Sequence, residues 1–259
     1  FLVLNNFFEL NYELTRISFL IIITSTLFFL IGLADDSLNL SPFKRLVYQL
    51  IIGSFLWLNG LNIESIDLSF LNKNPLILNS TLSYLITIIW FAGITNAINW
   101  IDGMDGLASV FTAISSLTLS IIFYSKGSID GTLISLLTLS ISYGFFFYNR
   151  KPAKILMGDG GSYLLGINLA ILSTMAGNNL NGSIDLRIPF VLLSYPLLDM
   201  FFVICIRIYN GFSPFYGDKS HFHHRLLLIL KDEKKVVRAI SMMTILTSSI
   251  AYFIYKESF

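Results

Sequence analysis

Apolar residues run along this chain in long, nearly unbroken stretches separated by short polar ones. A helix that crosses a bilayer needs roughly 20 mostly apolar residues. Runs near that length are Ile17–Ala34, Leu46–Leu61, Leu82–Asn99, Leu107–Tyr124, Thr132–Tyr148, Tyr163–Ala176, Ile188–Tyr209 and Val237–Tyr255. The pattern predicts an all-α fold, a polytopic integral membrane helical bundle with about eight transmembrane helices. A soluble fold with these runs buried fails, because no amphipathic helices remain to cover them. No internal repeat, low-complexity tract or Pro/Gly-rich linker divides the chain, so residues 1–259 are read as a single domain.

Composition agrees. The chain is 54% hydrophobic and 13% charged, whereas an ordinary soluble domain is about a quarter charged. The net charge of +1 says little about partners. Cys205, the single cysteine, lies in an apolar run and reads as packing, so no disulfide framework exists. No basic stretch precedes an apolar core near Phe1, so no signal peptide is expected.

Where the charge sits is more informative. With alternating spans, the loops Asp35–Arg45, Asn99–Gly106, Asn149–Gly161 and Asn210–Val236 share one membrane face, and they hold or border most of the 17 Lys and Arg. The positive-inside rule makes that face cytoplasmic. Phe1 then falls outside, which predicts an absent N-terminal portion carrying an odd number of further spans, ten or so helices in all. The four polar islands, "ADDSLNLSPFKR", "NAINWIDGMDG", "KILMGDGGS" and "GDKSHFHHR", lie on the same face. They predict one composite site.

Each island has a chemical and a structural reading. The adjacent carboxylates Asp35 and Asp36 can recruit Mg²⁺ or act as general base, or they sit in a solvated turn. Asn96, Asn99, Asp102 and Asp105 recur every three residues, so a continuous helix would align them on one stripe. Juxtamembrane carboxylates usually mark function. Gly158, Gly160 and Gly161 around Asp159 can form an anion-binding nest before a helix N-terminus, with Asp159 able to hold a metal that bridges phosphate oxygens. His221, His223 and His224, beside Lys219 and Arg225, suit a phosphate-binding basic cluster better than a zinc site. Asp199 and Arg207, two turns apart on one helix, read as a structural pair with their neighbours or as residues lining the site, with structure favoured. Together these are what a Mg²⁺-dependent reaction on a phosphorylated or nucleotide substrate requires, with one substrate a lipid and the other arriving from the cytosol.

The ordered set "ADD", "NAINWIDGMDGLA", "MGDGGSYLLG" and "HFHHRLL" resembles the polyprenyl-phosphate N-acetylhexosamine-1-phosphate transferases from about residue 30 to 230. The resemblance implies transfer of a sugar 1-phosphate from a UDP-N-acetylhexosamine to undecaprenyl phosphate at the cytoplasmic face of the bacterial inner membrane, releasing UMP, as the first membrane step of an envelope polysaccharide. It implies Mg²⁺ as cofactor, with Mn²⁺ as substitute, no nucleic-acid partner, and room for a homodimer. Phe222 between His221 and His223 points to the branch serving O-antigen, enterobacterial common antigen or teichoic acid; phospho-MurNAc-pentapeptide transferase, with three consecutive His, ranks second.

Carried over by position, the resemblance makes Asp35, Asp36, Asp102 and Asp105 catalytic. Asp159 and Asn99 become metal contacts. Lys44, Arg45, Asn96, Gly158, Gly160, Gly161, His221, His223, His224 and Arg225 become substrate-binding residues. Gly160 stands where many members have Ser. The family also normally has further spans and a basic loop before the aspartate pair. Two rival classes fit less well: a CDP-alcohol phosphotransferase would need Arg after Ala108, and a transporter would not gather a Gly nest and a His/Arg loop on one side.

Overall fold

The computed structural model describes residues 12–179, 182–215 and 220–258. Gly217, Asp218 and Lys219 of the fourth island fall outside them. The helices are α1 (Tyr12–Leu38), α2 (Pro42–Leu58), α3 (Ser80–Ile101), α4 (Leu107–Ser125), α5 (Ile129–Asn149), α6 (Gly158–Gly177), α7 (Arg187–Leu192), α8 (Ser194–Tyr209), α9 (Phe222–Leu230) and α10 (Glu233–Ser258). The architecture is an all-α polytopic membrane bundle. Among the described residues five helices, α1, α3, α4, α5 and α10, are long and apolar enough to cross a membrane on length and composition.

The other three expected runs are also helical but fall short of those measures. α2 has 17 residues and α6 begins with "GDGGS". The expected Ile188–Tyr209 span is corrected more sharply: it is two helices, of 6 and 16 residues, separated at Leu193. Pro196 explains the break, because it has no N–H to offer the Leu192 carbonyl one turn earlier.

Local chemistry sets several ends. Ser41 caps α2 by accepting from the Lys44 N–H, with Pro42 as the first helical residue. Asn79 caps α3 through the Leu82 N–H at 2.9 Å. α6 is the central post: fifteen of its 20 residues are buried, and it packs against α1, α3, α4 and α7. Glycines let the backbones meet there. A Cβ on Gly166 would lie 2.8 Å from the Thr95 Cα, and one on Gly32 would land on the Asp159–Gly160 peptide.

Alternation sends the ends of α1, α3 and α8 and the starts of α4, α6 and α10 to one end of the bundle, the site end. The charges at the opposite end hold structure together. Lys126 Nζ donates to the carbonyls of Ala176 and Asn178, each at 2.7 Å, closing the C-terminus of α6; burial pushes its ammonium down to about 8. Arg187 bonds Asp185 at 2.7 Å, and Ser258 donates to the same carboxylate at 2.8 Å. A two-residue hairpin, β1 (Ser65–Ile66) with β2 (Leu76–Ile77), closes the α2–α3 connection. Nothing in the apolar pattern announces it.

Candidate active site

The site begins where α1 ends against the start of α6. Asp36 accepts from the Asp159 N–H at 2.9 Å and the Gly160 N–H at 3.1 Å. The predicted Gly nest therefore exists, but the chain's own carboxylate fills it in this structure. A helix N-terminus attracts an anion through its free N–H groups and dipole, and Asp36 supplies one. Gly158 is left-handed at φ +67°, and a Cβ there would lie 2.7 Å from Asp36 Oδ2. Gly160 abuts Phe29 and Leu33, while a Cβ on Gly161 would strike Met157. Gly158 and Gly160 thus let α1 and α6 approach closely.

Arg45, in the first turn of α2, links the two carboxylates that face it. Its Nη1 lies 2.6 Å from Asp35 Oδ2 and 3.2 Å from Asp159 Oδ2. Asn99 donates through Nδ2 to Asp159 Oδ1 at 2.7 Å and to Ser162 Oγ at 2.9 Å. Asn99, expected as a metal contact, holds Asp159 in position in this structure. Burial and the neighbouring Asp35 push Asp159 up to about 6, against the opposing pull of Asn99 and Arg45.

α3 stops at Ile101 with Asp102 as its C-cap, so the stripe spaced every three residues does not continue through Asp105. Its four members go to different partners. Asn96 bonds Gln49 at 2.6 Å and the Ala92 carbonyl at 2.7 Å, and Asn99 bonds Asp159. Asp102 is pushed up to about 7, first by burial and then by Asp159, Asp105 and Asp36. Asp105 turns away to accept from the Ala153 N–H at 3.0 Å, with Lys151 at 3.7 Å. In this structure Asp105, expected as a catalytic carboxylate, joins two loops.

The His island closes the other side. Asp199 on α8 holds it, 2.7 Å from His221 Nδ1 and accepting from the Phe222 N–H at 2.6 Å. His221 meets the Trp100 ring edge-on and stacks on His223. His223 is fully buried, and neither ring nitrogen has a hydrogen-bond partner. A Cβ on Gly103 would lie 2.9 Å from its Nε2, so Gly103 is what admits the ring. Burial and the adjacent His224 and His221 push His223 down to about 4, leaving it neutral near pH 7. Both ring nitrogens thus stay buried with their hydrogen-bonding capacity unmet by protein groups.

Lys44 and Arg225 are not drawn into this cluster. Both are exposed, and Arg225 lines a separate, largely apolar cavity with Leu198, Phe202 and Met243.

Two hollows meet at Arg45. A polar one of about 340 Å³ is lined by Asp35, Asp36, Asn39 and Asp159. The other, of about 540 Å³, carries Asn96, Asn99, Trp100, Arg207 and His221 at its polar end and Ile89, Gly93, Met200 and Ile204 along its apolar length. Arg207 lies over the Trp100 ring at 4.9 Å and donates to the Pro214 carbonyl at 2.7 Å. The Asp199/Arg207 pair is thus really two separate anchors of the loop after α8.

Sequence reasoning missed Asn149, which accepts from the Gly106 N–H and donates to the Ile155 carbonyl, each at 3.0 Å, tying two loops of the site. Its position as the last residue of an apolar run was the available signal. It missed Ser162 and Gly32 as well.

No three His, Cys, Asp or Glu among the described residues converge as a ready-made metal shell. Mg²⁺ rarely uses one; it takes one or two carboxylates, with water and substrate phosphate completing the octahedron. Burial first, and then neighbouring carboxylates, raise both Asp102 and Asp159, and a hard divalent cation suits such a group of oxygen ligands.

This fold and site define a polytopic membrane protein with a carboxylate-rich centre at one end of its bundle. Residues 18–177 match the family model of glycosyl transferase family 4, and the chain belongs to that family. The match covers the aspartate pair, the Asn96–Asp105 stretch and the α6 N-terminus; the His island lies beyond it. The chain is 36% identical over 197 residues to a probable undecaprenyl-phosphate N-acetylglucosaminyl 1-phosphate transferase of Bacillus subtilis, covering 76% of this chain and 54% of that one. It is 35% identical over 228 residues to a decaprenyl-phosphate N-acetylglucosaminephosphotransferase of Mycobacterium leprae, covering 80% and 57%. A phospho-N-acetylmuramoyl-pentapeptide-transferase of Streptococcus mutans is 39% identical over 166 residues, covering 61% and 47%. The chain spans about half the length of these curated relatives. With its apolar spans, the bacterial relatives mark a multi-pass bacterial membrane protein.

Proposed function

We propose that the protein transfers an N-acetylhexosamine 1-phosphate from its UDP-linked form to a polyprenyl phosphate at the cytoplasmic face of the inner membrane. A lipid phosphate oxygen attacks the sugar-linked phosphorus of the donor. The new P–O bond makes a lipid diphosphate sugar, and the broken P–O bond releases UMP.

The observation that carries this reading is the junction at Arg45, where a carboxylate pocket meets a groove that is apolar along its length and polar at its inner end. A long hydrocarbon chain suits the apolar length, and its phosphate would reach Arg45 and the Asp159 cluster. Mg²⁺ held by Asp159 and Asp102 would offset diphosphate charge and polarise the phosphoryl oxygens. Asn99 orients Asp159, Asp36 fixes the start of α6, and the neutral His223 offers one ring nitrogen as donor to a phosphate oxygen.

The named relatives favour N-acetylglucosamine as the sugar. The test is a panel of radiolabelled UDP-N-acetylhexosamines, with UDP-MurNAc-pentapeptide, incubated with the protein, undecaprenyl phosphate and Mg²⁺. A lipid-extractable product from UDP-GlcNAc above all others supports the reading. Preference for UDP-MurNAc-pentapeptide moves the protein to the other branch.

A further inference from the structure

A second charged hollow lies at the site end, outside the carboxylate cluster. It encloses about 670 Å³ between the end of α5, the loop after it and the start of α10, and Arg150, Lys151, Lys154, Lys234 and Arg238 face it against the single carboxylate Asp105. Lys151 is engaged by Glu233 at 2.8 Å and approached by Asp105 at 3.7 Å. Among the described residues, no carboxylate lies within ion-pair distance of Lys154, Lys234 or Arg238. The hollow therefore has unspent positive charge. Apart from Ser241, its remaining wall is apolar: Val110, Phe146, Phe147, Pro152 and Val237.

That wall leads along the membrane axis. α4 packs on α10, and a second hollow of about 290 Å³ follows the same seam, lined by Ile114, Leu117 and Ile121 of α4 and by Ile245, Tyr252 and Phe253 of α10. Leu117, Ile121, Ile245 and Phe253 are 45% to 64% exposed. From Val237 to Tyr252 a helix rises about 22 Å, more than the depth of one leaflet, about half of the roughly 30 Å hydrocarbon core. A basic pocket thus stands at the interface with an apolar track descending from it. Membrane proteins bind anionic headgroups in such pockets.

We propose that this seam is a binding site for an anionic membrane phospholipid, its phosphate among Lys154, Lys234 and Arg238 and one acyl chain along the α4–α10 groove. The occupant is a bilayer phospholipid rather than the acceptor lipid, because neither Arg45 nor Asp159 lines this hollow. The groove that reaches Asp159 is the other one, through Arg45.

The test is native mass spectrometry of the full chain in detergent with phosphatidylglycerol, phosphatidylcholine, glycerol 3-phosphate, UDP or undecaprenyl phosphate. Retention of phosphatidylglycerol at least tenfold above phosphatidylcholine is expected, with at least a fivefold loss in the Lys234→Gln/Arg238→Gln variant, whose sugar-phosphate transfer is unchanged. Glycerol 3-phosphate and UDP at millimolar concentration leave the bound lipid in place. Equal retention of the two phospholipids, or retention unaltered in the variant, overturns the proposal. Displacement by UDP or by undecaprenyl phosphate, with transfer lost in the variant, assigns the hollow to the reaction instead. Displacement by glycerol 3-phosphate makes it a simple phosphate site, and a dimer that buries Ile245 and Phe253 without lipid gives the seam to a second copy; both contradict it.

Discussion

Asp36 and Asp102 are two carboxylates of one site held in opposite ways. Asp36 accepts two backbone N–H groups at the start of α6 and so serves as a structural acceptor. Asp102 is crowded by burial and three other carboxylates. Asp36→Asn points an amide N–H at a backbone N–H and should cost about 1–3 kcal/mol of stability, together with activity. Asp102→Asn relieves repulsion and should lower transfer without lowering the melting temperature. The sign with pH follows from linkage. The folded value of Asp102, about 7, lies above its ordinary 3.8. Its contribution to stability is complete below about pH 4 and is lost as pH rises through 7. In divalent-free detergent solution, Asp102→Asn should flatten the decline of melting temperature between pH 4 and 7; an unaltered slope contradicts the assignment.

The residues themselves were legible in the sequence because a charge beside a membrane-length apolar run is costly unless used. Their partners were not. Asp36 and Gly160 are 124 positions apart, and no local spacing reveals that one fills the other's nest.

At the scale of helices, the site depends on α1 and α6 touching backbone to backbone. Gly32→Ala would force the Asp159–Gly160 peptide away and misplace the carboxylate with it. A loss of about 1–3 kcal/mol is expected from overpacking, with transfer lost in proportion or beyond it. Gly144→Ala on α5 meets no atom within 4 Å and should leave stability unchanged or improved; thermal unfolding of the two variants in one detergent makes the comparison. Helix existence was legible from apolar run length. The break at Leu193 was less so, because the run Ile188–Tyr209 is long enough to span even though Pro196 stands inside it. The end of α3 at Ile101 was hidden for a related reason. Period alone continues through Asp105, and the turn at Asp102–Gly106 depends on Gly106 at φ +81° and its bond to Asn149.

For the whole molecule, alternation of helices places all four polar islands at one end, as the loop charges implied. A cysteine at Lys154 and one at Lys73, each in a Cys205→Ser background, should react with membrane-impermeant maleimide from opposite sides: Lys154→Cys only in inverted vesicles, Lys73→Cys only in intact cells. Reaction of both from the same side contradicts the topology.

In the proposed reaction Asp159, set by Asn99 and Asp36, supports a Mg²⁺-dependent transfer of sugar phosphate to lipid. The direct measurement is lipid-extractable radiolabel formed from UDP-GlcNAc and undecaprenyl phosphate across a Mg²⁺ titration, for the unaltered chain and for Asp159→Asn. Expected are saturable activity abolished by EDTA, a fall of at least about 100-fold in the variant, and a shift of its residual activity to higher Mg²⁺. Wild-type rates in Asp159→Asn, or transfer indifferent to EDTA, would contradict it.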